Sequence, residues 1–374
     1  MVPNETQLAI RDAVREFAQE RIRPRTYEFE ADGYPPGLFE ELAELGLMGM
    51  TAPEQFGGAA SDHVSYALAL MEVAAADGAL STIVSIQNSL IVSCLLRLGT
   101  PAQQSRFLPE LIAGRMLGAF ALTETDAGSD AAAIRTQATR VAGGWRLNGT
   151  KQFITSGRIA GLAMVFAVTD APAGKNGITA FLVPTAKPGY IVDKVERKLG
   201  QWASDTCAIR FEDLLVEDDL VLGRPGGGYR IALSNLEGGR IGIAAQSVGM
   251  AQAALAIAAG YARERKSFGK PIIEHQAVGF RLADLATRLE AARQMVLSAA
   301  ALKDAGQPCL VQASMAKLFA SETAEAVVSG AIQTLGGYGY LEEFGLAKIY
   351  RDVRVCQIYE GTSDIQRMVI ARAL

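Results

Sequence analysis

The segment Gln357–Gln366, near the end of the chain, carries residue types that could do acid–base chemistry beside a ligand. It reads Gln-Ile-Tyr-Glu-Gly-Thr-Ser-Asp-Ile-Gln. Glu360 supplies a carboxylate, Gly361 lets the backbone approach another group closely, and Thr362 or Ser363 is a good N-cap for a last helix. The N–H groups at such a helix start suit a phosphate or another electron-rich group. The segment therefore predicts a carboxylate beside a ligand site. The alternative is that Glu360 only favours the positive end of the helix.

Two segments in the middle of the chain could contact a flat ligand. Residues 123–130 read Thr-Glu-Thr-Asp-Ala-Gly-Ser-Asp, and their hydroxyls and backbone N–H groups suit a polar ring edge or a carbonyl, or form a self-satisfied turn. In residues 148–157, Phe153 and Thr155 are two positions apart, so an aromatic ring and a hydroxyl share one face of a strand. That pair could hold a heterocycle, although a strand phenylalanine more often belongs to the core.

Two further segments place charges next to glycines or at a helix end. Glu237-Gly-Gly-Arg240 lies in an otherwise uncharged helical pattern, where a glycine pair indicates close approach of a ligand or a backbone. The alternative is a helix start with Arg240 extending towards solvent. In residues 263–271, Arg265 and Ser267 could bind a diphosphate, although cations at a helix C-terminus need no ligand.

The composition restricts the class of protein. The chain has 374 residues, 49% of them hydrophobic and 20% charged, and a net charge of −4 with scattered Lys and Arg, which argues against a nucleic-acid partner. Neither GxGxxG nor GxxxxGK[ST] occurs, so a nucleotide would have to be held by another kind of site. The cysteines are far apart and only two histidines occur, so we expect no metal site and no disulfide framework. These residues are Cys94, Cys207, Cys309, Cys356, His63 and His275.

The beginning of the chain and its two long uncharged windows bear on localisation. Residues 1–6 lead directly into an amphipathic pattern with no visible export signal. We therefore expect a protein of the bacterial cytoplasm, or of the mitochondrial matrix if the chain is processed. Residues 78–96 and 241–262 are long enough to span a membrane. Their Ala, Gly, Ser and Gln suit helix contacts in a soluble bundle, so we expect no membrane span.

The periodicity of the chain predicts three domains. Residues 1–119 repeat apolar positions at helical spacing and predict an N-terminal α-helical domain. Residues 120–227 contain several short strand patterns, with a hairpin at Gly143-Gly144, and predict a β-barrel or sandwich. Residues 228–374 contain long helical segments and predict a C-terminal four-helix bundle. The expected fold class is thus mostly α with a central β-domain.

Taken together and in this order, the segments resemble the acyl-CoA dehydrogenase family over the whole chain. The resemblance implies that FAD and an acyl-CoA thioester meet between a helical domain, a β-domain and a helical bundle. The matching segments are residues 53–58, 122–130, 148–155, 198–200 with 204–206, 239–243, 264–269, 333–337, 351–352 and 358–366.

The resemblance also implies the catalytic role of Glu360. In this family a carboxylate takes the α-proton of the thioester while the β-hydride passes to flavin N5, which gives the trans-2-enoyl-CoA. Some relatives carry the base on the bundle helix instead, and that position is Gly239 here. The resemblance therefore leaves Glu360 as the candidate for the base.

By the same resemblance, other residues contact the cofactor or the substrate. The residues implied to bind FAD are Phe120, Thr123, Ser129, Phe153, Thr155, Arg265, Phe268, Gln276, Gln333, Gly336, Gly337, Thr362 and Asp364. Those implied to border the acyl-CoA are Ser129, Glu237, Gly239, Arg240, Tyr359 and Gly361. Of the FAD set, the residues from Arg265 to Gly337 are implied to reach FAD across a subunit interface, so a homotetramer built as a dimer of dimers is expected. Phe153 stands where many relatives have tryptophan, near the surface where an electron-transfer flavoprotein docks.

The expected function is FAD-dependent dehydrogenation of a short or short-branched acyl-CoA, in fatty-acid β-oxidation or branched-chain amino-acid catabolism, with electrons passed to an electron-transfer flavoprotein. One alternative keeps the fold for an enoyl-CoA-type reductase or an acyl-CoA oxidase. The least favoured alternative is a non-catalytic scaffold that binds flavin or CoA.

Overall fold

In the computed structural model the chain forms a helical segment, a β-domain and a second helical segment, in that order. The structure describes residues 1–35 and 37–374, and the side chain of Glu237 also lies outside the described part. The fold class expected from the sequence, mostly α with a central β-domain, is confirmed.

Short polar caps fix where the N-terminal helices begin. Asn4 and Thr100 each form a capping box, with Gln7 and Gln103 respectively, and Asp62 accepts a hydrogen bond from Ser65 N. The helices are α1 (Glu5–Phe17), α2 (Thr26–Asp32), α3 (Leu38–Glu44), α4 (His63–Ala76), α5 (Gly78–Ile86), α6 (Ser93–Leu98) and α7 (Pro101–Ile112). A π-helical turn, Gln87–Val92, joins α5 to α6.

Two apolar helical stretches lie inside the protein. In the described part of the chain, Gly78–Leu98 and Gly228–Glu264 are long and apolar enough to cross a membrane, and 78% of each apolar window is buried within the fold. Helices that are apolar all round are typical of the centre of a large helical assembly. The absence of a membrane span stays a prediction.

The β-domain forms one mixed sheet with the order β6-β7-β3-β2-β4-β5-β8, and β1 pairs with β4 in parallel. Its two halves meet at the Gln137–Val168 pair. The hairpin expected at Gly143-Gly144 joins β2 to β3, whereas the strand patterns did not indicate β6. The strands are β1 (Gly118–Ala121), β2 (Gln137–Val141), β3 (Gly144–Thr155), β4 (Leu162–Val168), β5 (Ile178–Pro184), β6 (Tyr190–Val195), β7 (Thr206–Glu217) and β8 (Val221–Leu222).

A β-bulge near the end of β3 changes the direction of Phe153. Lys151 pairs with Ile209 and Ile154 pairs with Cys207, so two residues of β3 oppose one residue of β7. Phe153 has φ 59° and is 63% exposed, whereas Ile154 is buried. The phenylalanine therefore lies outside the core, contrary to the usual place of a strand aromatic.

Long helices make up the C-terminal segment. Helix α8 continues through Gly238 and Gly239 without interruption, and Arg240 is only 6% exposed. The alternative of a helix start with an exposed Arg240 is therefore wrong. The elements are α8 (Gly228–Glu264), a hairpin of β9 (Lys266–Ser267) and β10 (Lys270–Pro271), α9 (Gln276–Asp304), α10 (Leu310–Leu335), α11 (Leu346–Val353) and α12 (Ser363–Ala371).

Two apolar cores meet along α5 and the turn that follows it. Val84 belongs to the core that joins the N-terminal and C-terminal helices, whereas Leu90 and Leu95 belong to the core of the β-domain. Tyr359 packs against the helical core. The segment that carries Glu360 is therefore fixed by the helical domains.

Candidate active site around Glu360

The backbone of Glu360 and Gly361 turns sharply before the last helix. Glu360 has φ 56° and Gly361 has φ 88°, so two successive residues are left-handed. This conformation costs a residue other than glycine on the order of 1–2 kcal/mol. Helix α12 then begins at Ser363, and the hydroxyl of Thr362 accepts a hydrogen bond from Ile365 N at 3.3 Å. The N-cap is thus Thr362, one of the two residues that the sequence indicated.

The carboxylate of Glu360 lies directly against Gly239 of α8. A Cβ atom on residue 239 would be 2.4 Å from Oε2 of Glu360, so only glycine leaves room for the carboxylate. Oε2 is buried and has no hydrogen-bond partner among the described residues. The close approach expected for the glycine pair is therefore that of the Glu360 side chain. A carboxylate oxygen without a hydrogen-bond partner can accept a proton from a substrate placed within hydrogen-bond reach.

The surroundings of Glu360 make it a stronger base than an exposed glutamate. Burial raises the pKa of its carboxyl to about 7, although the positive charges of Lys317 and Arg240 act in the opposite direction. Arg240 is buried on α8, and its Nη1 donates to Ser314 Oγ at 3.3 Å. A carboxyl group with a pKa near 7 suits proton abstraction at neutral pH.

A buried polar network borders the site on the side of Tyr359. The Tyr359 hydroxyl donates to Gln246 Oε1 at 2.5 Å, and Gln246 Nε2 donates to Thr82 Oγ1 at 2.6 Å. Thr82 Oγ1 in turn donates to Gln201 Oε1 at 2.8 Å. The ring of Tyr359, next to the expected base, is therefore held by side chains from α5, α8 and the segment after β6.

The expected flavin contacts of the β-domain lie on the exposed bulge and the loop next to it. Phe153 is exposed, Thr155 is half-buried, and the carbonyl of Thr123 accepts a hydrogen bond from Gln152 N at 2.8 Å. Ser129 is exposed on the same loop, and the ring of Phe120 packs on Phe166 at 4.9 Å between centroids. An exposed aromatic face beside threonine hydroxyls fits a flat ring system such as a flavin.

Loop 123–130 also has the structural anchor that the alternative interpretation required. The carboxylate of Glu124 accepts hydrogen bonds from Arg135 N at 2.6 Å and Thr136 N at 3.0 Å. Lys151 Nζ, buried on β3, donates to Glu124 Oε1 at 2.8 Å and to Leu122 O at 3.0 Å. The loop is therefore anchored through Glu124 to the strand that carries Phe153.

Most of the remaining FAD residues form a separate group at the far ends of α8 and α10. Arg265, Gln333, Gly336 and Gly337 line one cavity of about 440 Å³. Phe268, on the hairpin beside it, is 97% exposed and left-handed at φ 50°. Gln276, the first residue of α9, is exposed, as is Asp364 on the last helix. An open cavity with an arginine and two glycines suits a diphosphate.

Of the expected substrate residues, Ser129 lies on the exposed loop 123–130, and the others lie on α8 or next to Glu360 in the chain. The structure brings Gly239, Arg240 and Tyr359 to Glu360, and Gly361 follows it directly. The side chain of Glu237 lies outside the described residues. Sequence reasoning missed Lys317, Gln366 and Gln246. The signal for Lys317 was a single cation in a stretch of α10 that is otherwise small and apolar.

Comparison with known proteins identifies the family. Family models for the acyl-CoA dehydrogenase N-terminal, middle and C-terminal domains match residues 4–115, 119–214 and 226–374. An acyl-CoA dehydrogenase of Bacillus subtilis is 44% identical over 369 residues, which cover 98% of this chain and 97% of that protein.

Two solved structures share the whole fold. Butyryl-CoA dehydrogenase from Megasphaera elsdenii is 40% identical with a TM-score of 0.97, covering 100% of this chain and 99% of that one. A chain from the structural study of the electron transferring flavoprotein of Acidaminococcus fermentans is also 40% identical with a TM-score of 0.97, covering 100% and 98%. The chain therefore belongs to the acyl-CoA dehydrogenase family of FAD-dependent oxidoreductases that act on a CH–CH group.

Proposed function

We propose that the chain dehydrogenates a short or short-branched acyl-CoA, with Glu360 as the base, and passes the electrons to an electron-transfer flavoprotein. The observation that carries this proposal is the packing of the Glu360 carboxylate on Gly239, with a buried Oε2 atom that has no partner among the described residues. Burial raises the pKa of this carboxyl to about 7. Of the site residues, Glu360 therefore has the geometry and the basicity for proton abstraction.

The reaction removes two hydrogens from neighbouring carbons. Glu360 takes the α-proton, and the electrons of that C–H bond form the new double bond as a hydride leaves the β-carbon. FAD, when bound, supplies the acceptor for this hydride. A thioester α-proton is only weakly acidic, so a hydrogen-bond donor must stabilise the negative charge that develops on the carbonyl oxygen. Among the described residues, none accepts a hydrogen bond from the backbone N–H of Glu360, which supports that N–H as the donor.

The network around Gln246 supports a short acyl chain. Gln246 is seven residues beyond Gly239 on α8, which places it about 10 Å along the same face of the helix. Its amide is held by Tyr359 and Thr82 through hydrogen bonds of 2.5 and 2.6 Å. A longer chain extending in this direction would have to break buried hydrogen bonds. The name of the Megasphaera elsdenii relative, butyryl-CoA dehydrogenase, also supports a short acyl chain.

Two groups of residues would hold FAD. Phe153 and Thr155 would contact the flavin ring system, and the start of α12 at Thr362 would offer its free N–H groups. Arg265 and the glycines of the 440 Å³ cavity would bind the diphosphate of FAD from a second subunit. We therefore also propose a homotetramer, in which this second group completes the site of a neighbouring copy.

The electron-transfer flavoprotein is proposed as the acceptor because a chain of the same fold belongs to the structural study of such a flavoprotein from Acidaminococcus fermentans. The bacterial source of that chain and of the Bacillus subtilis relative supports the cytoplasm as the compartment. A mitochondrial short-chain specific acyl-CoA dehydrogenase of Bos taurus, 42% identical over 98% of this chain, supports the matrix instead if the chain is processed.

An anaerobic absorbance titration with acyl-CoAs tests the proposal. Butyryl-, isobutyryl-, 2-methylbutyryl- and isovaleryl-CoA are compared with octanoyl- and dodecanoyl-CoA. We expect one or two of the short thioesters to bleach the flavin band, and strongest bleaching by dodecanoyl-CoA would contradict the short-chain assignment. Air is then admitted to the reduced enzyme, where rapid reoxidation with peroxide formation would indicate an oxidase instead.

A further inference from the structure

One carbonyl oxygen next to the proposed base receives two buried side-chain donors. Lys317 Nζ donates to Gly361 O at 2.8 Å, and Gln366 Nε2 donates to the same oxygen at 2.8 Å. Gln366 Nε2 also reaches Glu360 O at 3.3 Å. Lys317 and Gln366 are both 0% exposed. The peptide group between Gly361 and Thr362 is thus held from α10 on one side and from α12 on the other, and Gln366 alone also reaches the peptide that follows Glu360.

This segment needs such support because its backbone is strained. Glu360 and Gly361 are both left-handed, and a glutamate adopts that conformation only where the surrounding structure enforces it. The turn also decides where the carboxylate lies, since the side chain of Glu360 fits into the space left by Gly239. A change in the orientation of the peptide would move the carboxylate out of that space.

The burial of the Lys317 ammonium group costs free energy, which favourable contacts must offset. Burial lowers the pKa of its ammonium group to about 8, and the thiol of Cys356 and the carboxylates of Glu360 and Glu322 oppose that change, whereas Arg240 adds to it. An ammonium group without a protein carboxylate in direct contact is rare inside a protein, because its desolvation is expensive. Among the described residues, no carboxylate lies within ion-pair distance of Lys317. Its ammonium group instead donates to the carbonyl of Gly361.

We propose that Lys317 is a positioning residue for Glu360, which, together with Gln366, fixes the Glu360–Gly361 backbone and so holds the carboxylate against Gly239. The inference rests on the proposed function in one respect, namely that Glu360 is the base. Lys317 contacts the backbone of the base segment rather than the substrate, and its charge acts on the carboxylate through space.

The charge of Lys317 has a second consequence that separates it from Gln366. Among the side chains that the structure describes, the charged and titratable groups that face Glu360 are Lys317 on α10, Arg240 on α8 and Tyr66 on α4. Burial raises the pKa of Tyr66 to about 12, so this phenol is neutral near pH 7. Lys317 and Arg240 both lower the pKa of Glu360, so loss of the Lys317 charge raises it. Loss of the Gln366 amide removes a hydrogen bond and changes no charge.

The test compares Lys317→Met and Gln366→Met with the wild type, because methionine keeps much of the length of both side chains. Stopped-flow reduction of the FAD-bound enzyme by butyryl-CoA is measured from pH 6 to pH 9. For Gln366→Met we expect a maximal rate about 100-fold lower, since a displacement of the base by about 1 Å can reduce the rate by that factor. The midpoint of the pH–rate profile should stay unchanged. For Lys317→Met we expect a similar loss and a midpoint displaced to higher pH.

Thr323→Val on the same helix is the matched control. Thr323 is 1% exposed, and its hydroxyl has no hydrogen-bond partner among the described residues. The control should keep the wild-type rate and midpoint. Amide hydrogen exchange of residues 358–366 gives a readout that does not depend on turnover, and we expect faster exchange there in both methionine variants only.

Each outcome bears on the inference. Wild-type rates in Gln366→Met and Lys317→Met, with unchanged exchange in residues 358–366, would overturn it. If Lys317→Met does not fold, the rate and the amide exchange of Gln366→Met test whether these donors position the Glu360–Gly361 backbone. This variant leaves no buried charge unpaired, so we expect it to fold. A wild-type enzyme that no acyl-CoA reduces would contradict the proposed function, whereas the exchange measurement would still test the positioning role.

Discussion

A methyl group on residue 239 and the carboxylate of Glu360 cannot occupy the structure together. The Cβ atom would lie 2.4 Å from Oε2 and 2.8 Å from Cδ of Glu360, both closer than van der Waals contact allows. The flexible side chain would therefore have to move. Because the carboxylate is the proposed base, the glycine on α8 is as much a part of the site as the acid on the loop.

Gly239→Ala is therefore expected to reduce the rate of flavin reduction by about 100-fold, since it displaces the base by a fraction of an ångström or more. The free energy of unfolding should change little, because the Cβ meets only the end of a flexible side chain and alanine favours the helix over glycine. Gly260→Ala on the same helix is the control, since a Cβ there meets nothing within 4 Å. It should leave the rate unchanged. Equal rates in the two variants would show that the carboxylate does not act from its place against Gly239.

Glu360→Gln removes the base and keeps its shape. We expect FAD and acyl-CoA still to bind, while anaerobic flavin reduction falls by several orders of magnitude, on the order of 10⁴-fold. Reduction at the wild-type rate would require another base.

Glu360→Gln should also change how the free energy of unfolding depends on pH. Burial raises the pKa of Glu360 from 4.5 to about 7, so the folded state binds more protons than the unfolded state between these values.

The contribution of Glu360 to stability is therefore present below pH 4.5 and is lost as the pH rises to 7. Urea unfolding at pH 5 and pH 8 should show that the wild type loses more stability than Glu360→Gln over this interval. Equal losses in the two proteins would mean that the carboxyl group titrates near its ordinary pKa.

The rate of flavin reduction should rise with pH because the carboxylate form of Glu360 takes the proton. With a pKa of about 7, the carboxylate fraction at pH 6 is about a tenth of that at pH 8. We expect a rate about tenfold lower at pH 6 and a plateau above pH 8. The second-order rate constant of flavin reduction, measured by stopped flow at low butyryl-CoA, reports the free enzyme and gives the profile. A constant that does not vary between pH 6 and pH 8 would contradict the raised pKa.

Local features of the site could be predicted from the sequence. The N-cap at Thr362 and the hairpin at Gly143-Gly144 depend on residues only a few positions apart, and both are present in the structure. The outward position of Phe153 was left open, because it depends on a bulge that arises from pairing between β3 and β7. Strand periodicity within one segment does not indicate such a register shift.

Contacts between distant segments could not be predicted in the same way. The Glu237–Arg240 motif indicated close approach of some group, and only the fold shows that this group is the carboxylate of Glu360. The bond from Lys317 to Gly361 likewise joins α10 to a loop beyond α11. Hydrophobic periodicity defines the helices but not which buried cation faces which carbonyl.

The ion pair of Lys151 and Glu124 gives a further test, because it ties the loop expected to contact the flavin to the strand that carries Phe153. Nζ and Oε1 are 2.8 Å apart, and the Lys151 side chain is 0% exposed. Lys151→Met leaves Glu124 buried without its cation, so the free energy of unfolding should fall by about 3–5 kcal/mol. The protein should also retain less FAD.

The double variant Lys151→Met with Glu124→Gln should lose less stability than Lys151→Met alone, because the glutamine oxygen can still accept a hydrogen bond from Arg135 N or Thr136 N. Urea unfolding and the flavin content after gel filtration measure both effects. A double variant that is less stable than Lys151→Met would show that the Glu124 carboxylate is held by its backbone donors rather than by the lysine.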